Sequence, residues 1–154
     1  MTVAFASAVT NVSFQLWDVD ASAGQFVDQV SQIKAISDLG VTQGASSISS
    51  AVAGFNTISG SGLSAVITGT ANAGNATNQG TINVSFSGPI TQFSFIWRNT
   101  DAALGAQAIA LGEISYSVVP EMNATWGLLG LLGVAATHRW LSRKRRSPIA
   151  RSDR

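Results

Sequence analysis

The chain contains no cysteine. That excludes disulfide staples, thiolate metal sites and cysteine nucleophiles. Its one histidine, His138, excludes any centre built on two imidazoles. Charge is scarce as well. Only 11% of the 154 residues are charged, against roughly 25% in an average soluble domain. So little charge excludes a highly charged disordered chain and a coiled coil alike. Small and polar residues fill the gap, among them 15 glycines. Hydrophobic residues still make up 45%, and the length suits one ordinary domain rather than two.

The scarce charge is unevenly placed. Residues 1–120 carry two bases, Lys34 and Arg98, against six acids, a net of −4. Residues 121–154 carry seven bases against Glu121 and Asp153, a net of +5. Such a split implies a body and a separately acting tail.

The body reads as all-β. Val12, Phe14 and Leu16 alternate with Ser13 and Gln15 over Asn11–Trp17, the pattern of a half-buried strand. Ile82, Val84 and Phe86 repeat it over Thr81–Ser87. Phe93, Phe95 and Trp97 share a face of Ile90–Trp97, and Ile114, Tyr116 and Val118 a face of Gly112–Val119. Thr2–Ala8, Phe26–Ile36 and Leu63–Thr70 complete the expected set. Gly60–Gly62 and Asn72–Gly80 read as loops, and Asp38–Gly54 as loop with one weak strand. Short alternating strands without intervening amphipathic helices predict a β-sandwich or jelly roll over residues 1–118.

The tail reads as a membrane segment. Met122–His138 is 17 residues without a charge, the low end for a spanning helix. Leu128, Leu129, Leu131 and Leu132 supply its apolar surface, and Trp126 and Trp140 bracket it as interfacial anchors do. Arg143, Lys144, Arg145 and Arg146 follow. This basic stop predicts a single C-terminal transmembrane helix with a cytoplasmic C-terminus and the body on the other side. Residues 147–154 are a short polar tail. The position of the basic cluster makes topology its role, so no nucleic-acid partner is expected.

Val119-Pro120-Glu121, the apolar stretch and the terminal Arg-Lys-Arg-Arg together resemble the PEP-CTERM sorting domain of bacterial proteins. The match covers residues 119–146, with Met122 where the family has a second proline. The resemblance implies export, handling by an exosortase-type processing enzyme in the membrane, and association with extracellular polysaccharide or biofilm matrix. It implies a β-sandwich body and no reaction. Met1–Val12 has neither a basic n-region nor an apolar core, so the chain is expected to begin inside a longer product.

Candidate sites in the body are few. Asp18 and Asp20, with Asp28 eight residues on and Glu113 on the last strand, are the carboxylates a structural calcium ion would use if the strands converge; solvated, turn-forming aspartates are the plainer reading. Two carboxylates across a cleft would suit glycoside hydrolysis, but nothing in the sequence fixes their spacing, and no enzyme is expected. Trp17 lies on the face opposite Val12, Phe14 and Leu16. It is the aromatic best placed to stack on a sugar ring, which makes an envelope-anchored carbohydrate-binding module the alternative to a purely structural matrix protein.

Overall fold

The computed structural model describes residues 1–74, 77–102 and 107–120. The chain divides into one unit spanning Met1–Val119 and another spanning Pro120–Arg154. The first unit is all-β. Its strands are β1 (Thr2–Trp17), β2 (Ala21–Ser22), β3 (Phe26–Ser37), β4 (Thr42–Gly44), β5 (Ser47–Ser50), β6 (Asn56–Ser59), β7 (Val66–Gly69), β8 (Ile82–Phe86), β9 (Ile90–Asn99) and β10 (Ala110–Val118). They form one sheet path, β5-β8-β1-β9-β3-β7-β6, with β10 on β1 and both β2 and β4 on β3. All pairings are antiparallel.

Two bends fold this path onto itself. In β1, Asn11 sits in the left-handed region at φ 51°, which asparagine tolerates better than most residues. The register slips there, between Thr10 and Ser13. One extra residue at a bulge reverses which side chains face inward. Before it, odd-numbered Val3, Phe5 and Val9 point to the core; after it, even-numbered Val12, Phe14 and Leu16 do. The same change of phase occurs in β3 around Gln32, also at φ 51°, where burial passes from Asp28 and Val30 to Ile33 and Ala35. Each bend lets one long strand change neighbours: β1 pairs β9 through its first half and β8 through its second.

The folded sheet closes on an apolar core. Phe14 of β1 stacks on Phe93 of β9 with centroids 4.3 Å apart and planes 11° apart. Phe86 and Phe95 flank the pair. Leu16, Val30, Ile33, Ile67, Ile82 and Ile90 are fully buried around it. Interior packing of this density makes each ring costly to remove.

Several expectations change. Thr2–Ala8 and Asn11–Trp17 are one bulged strand. Leu63 belongs to a short 3-10 turn, Gly62–Ser64, and the strand begins only at Val66. Asp38–Gly54 contains two strands, β4 and β5, and β6 was not expected. These are short, polar edge segments, too brief to show a period. Strand β10 ends at Val118, two residues before Pro120, which is exposed. Among the described residues no helix is long and apolar enough to cross a membrane. Glu121, the apolar stretch with Trp126, Leu128, Leu129, Leu131, Leu132 and Trp140, and the basic Arg143–Arg146 lie outside the described residues.

Candidate functional site

Strands β5, β8, the second half of β1 and β10 lie side by side. Because Val12, Phe14 and Leu16 face the core, Ser13, Gln15 and Trp17 must face outward. Register places equivalent residues beside them. Ser13 pairs with Ser85 on one side and Ser115 on the other, Ser85 pairs with Ser47, and Gln15 pairs with Asn83, which pairs with Ser49. The result is a hydroxyl- and amide-bearing surface with one large aromatic at its end.

Trp17 is 45% exposed. It is held in place from two sides. Its indole N–H donates to Gln15 Oε1 at 2.9 Å, and Gln15 Nε2 donates to Asn83 Oδ1 at 3.0 Å. Its ring lies over Gly112 of β10, where a Cβ would come within 2.8 Å of Cε2. Glycine there is what lets the ring lie this close to the strand. Trp17 forms one wall of a cleft of about 620 Å³, with Asp18, Thr77, Asn78, Thr81 and Asn83 around it. A second, smaller cleft of about 290 Å³ continues over Ser13, Ser47, Ser85, Ser115 and Glu113.

Behind the larger cleft lies a buried acidic pair. Asp20 is 2% exposed and Asp28 is wholly buried. Gln107 Nε2 donates to both, at 3.0 Å to Asp20 Oδ1 and 3.0 Å to Asp28 Oδ2. Asp20 Oδ2 accepts the Ala73 backbone N–H at 2.7 Å, and Asp28 Oδ1 accepts the Trp97 indole N–H at 2.8 Å. The Asp20 backbone is pinned too: its carbonyl takes the Asp28 N–H at 3.0 Å and abuts Gly69, where a Cβ would sit 2.0 Å away. Ala73 begins the loop that supplies Gly74, Thr77 and Asn78 to the cleft, and Gln107 precedes Ala110 on its other wall. The acidic pair therefore fastens both walls.

Burial pushes the Asp20 carboxyl above its ordinary value of 3.8; the Ala73 N–H opposes this, and the charges of Asp18 and Asp28 add to it. Asp18, at φ 66°, is likewise raised by burial and by Asp28. Asp18, Asp20 and Asp28, expected as calcium ligands, are thus near one another, with the described contacts of Asp20 and Asp28 being N–H donors. Glu113 instead lines the smaller cleft. Among the described residues no group of three or more acidic or histidine side chains is arranged to hold a metal ion.

The remaining aromatics divide. Phe93 and Phe95 are core, and Trp97 is half-buried with its indole N–H on Asp28. Tyr116 is 52% exposed and meets Phe5 edge-on at 5.2 Å. Sequence reasoning located Trp17 and did not find Gln15, Asn83 or Gln107. Alternation alone could have placed Gln15 beside Trp17, whereas Asn83 needs the strand register and Gln107 lies in a segment without a pattern. No protein-family model, curated protein or solved structure matches the chain.

Proposed function

We propose that the chain is an exported, non-catalytic protein with a β-sandwich body of jelly-roll type that associates with extracellular polysaccharide. In this reading residues 119–146 act as an exosortase-type sorting signal. The helix enters the bilayer, its basic end stays cytoplasmic, and processing near Val119-Pro120-Glu121 frees or transfers the body. The body is not only filler in a matrix; it holds polymer on the Trp17 cleft.

The observation that carries the binding reading is the exposed Trp17 ring, fixed by Gly112 and Gln15 beside free amide hydrogens. A pyranose ring has an apolar face that an indole covers and a rim of hydroxyls that amides and hydroxyls satisfy. A concave site with one aromatic wall and a few placed polar groups has this chemistry. The test is calorimetric titration of the full chain with a β-1,4-linked glucose hexasaccharide, in a zwitterionic detergent so that no glycosidic detergent competes. Trp17→Ala should weaken binding at least ten-fold. Equal binding by the variant, or none by the wild type to this or any other polysaccharide offered, would overturn the reading.

A further inference from the structure

The two clefts form one surface. They share Gln15 and Asn83, and Trp17, Gln15 and Ser13 succeed one another outward along β1. At about 3.4 Å per residue the run from Trp17 to Ser13 spans about 14 Å, longer than a single sugar ring. Beyond the amide pair, the hydroxyls of Ser13, Ser47, Ser49, Ser85 and Ser115 make no hydrogen bond to the protein among the described residues. They stand on four adjacent strands about 4.8 Å apart, with their bonding capacity unspent.

The electrostatics of this surface have one sign. Asp18 lines one cleft and Glu113 the other, and among the described residues no base lines either. Of the two bases in residues 1–120, Lys34 lies on β3 and Arg98 on β9, whose guanidinium donates to Gln29 Oε1. A polymer of uronate, sulfate or phosphate groups would meet two carboxylates and, among the described residues, no counter-charge. Like-charge juxtaposition of this kind is an effective means of rejecting a wrong partner. A protein partner would want an apolar centre, and Trp17 is the one large apolar side chain whose ring the surface presents among the described residues.

From these observations we infer that the Trp17 and serine clefts together bind one extended, uncharged glycan. The chain lies along β1, one ring on Trp17, the next over Gln15 and Asn83, and the following hydroxyls on Ser13 and Ser85. This rests on the polysaccharide reading above and adds to it the length and charge of the ligand.

The test compares three probes on the full chain: the neutral glucose hexasaccharide, the corresponding disaccharide, and polygalacturonate. The hexasaccharide should bind at least ten-fold more tightly than the disaccharide, and polygalacturonate at least ten-fold more weakly than the hexasaccharide at low salt. The double variant Ser13→Val/Ser85→Val, whose valines suit a strand, should reduce the hexasaccharide-to-disaccharide ratio to near one. Thermal unfolding of the variant checks that the fold is kept. Equal affinity for hexasaccharide and disaccharide in the wild type overturns the extended site and leaves the Trp17 reading standing. Polygalacturonate binding as tight as the hexasaccharide overturns the charge argument. Sedimentation showing a dimer that the valine pair disperses makes the face an interface between copies and overturns the proposal. Absence of binding by every sugar defeats the polysaccharide reading as well.

Discussion

Gly112→Ala tests whether Trp17 is a positioned ring or a loose one, without altering any group that would touch a ligand. An added Cβ would lie 2.8 Å from Cε2, 2.9 Å from Cζ2 and 3.1 Å from Nε1. Carbon atoms in contact prefer about 3.5–4.0 Å, so the indole must move outward by about 1 Å. That stretches the 2.9 Å bond from Trp17 to Gln15 past hydrogen-bonding range. An indole face makes about ten contacts with a sugar ring, at about 0.1–0.2 kcal/mol each, and a displacement of this size forfeits up to half of them. With the lost hydrogen bond, the reduction is about 1 kcal/mol, or roughly five-fold in Kd. Stability should move little. Replacing glycine restricts the unfolded chain by about 0.4–1 kcal/mol, and this offsets the displaced ring. Calorimetric titration with the hexasaccharide, paired with a thermal melt, measures both. Unchanged affinity would refute the claim that Gly112 sets the ring. A melting point lower by more than about 5 °C, over 1 kcal/mol in a body of this size, would show that the contact is part of the core instead.

Three other outcomes follow from the packing, the charges and the tail. The Phe14–Phe93 stack should show a coupling of about 0.5–1.5 kcal/mol in a Phe14→Leu, Phe93→Leu double-mutant cycle read by urea unfolding; additive losses would mean the rings do not touch. Because burial raises the Asp20 carboxyl above 3.8, the folded state holds that proton more tightly than the unfolded one. The resulting stability is complete below 3.8 and lost as pH rises through the raised value. Asp20→Asn should therefore flatten the fall of the urea midpoint between pH 4 and 7, leaving the smaller slope from Asp18; a variant as steep as the wild type would contradict this. With one tag inserted in the body and another after Arg154, fractionated cells should yield an external body lacking the C-terminal tag, whereas both tags remaining together in the membrane would sink the processed-signal reading.

The fold was legible where the alternation is long. The inward faces of β8 and β9, Ile82-Val84-Phe86 and Phe93-Phe95, are plain in the sequence because a strand buried on one face must alternate. The joining of two expected strands into β1 was hidden by Asn11. Its left-handed backbone shifts the alternation by one residue, and a phase shift read without structure looks like the end of one strand and the start of another. A change of phase across a single Asn, with no Gly or Pro nearby, is the signal that was there. Edge strands β4 and β5 gave no such signal because they are only three and four residues long and none of their side chains is fully buried. At the site, the exposure of Trp17 followed from parity alone. The Asp20–Asp28 pair did not, since burial of two acids depends on donors from Ala73, Trp97 and Gln107, which are 53–87 residues distant from their partners.

The most direct test of the central claim is a titration of the ¹⁵N-labelled full chain with the glucose hexasaccharide, followed by side-chain N–H resonances. Saturable shifts of the Trp17 indole N–H and of the Gln15 and Asn83 amides, with the Trp97 indole held on Asp28 and unmoved, are the predicted result. Shifts confined to Trp97 or to residues beyond Pro120, or no shifts at all, would contradict a glycan site on this face.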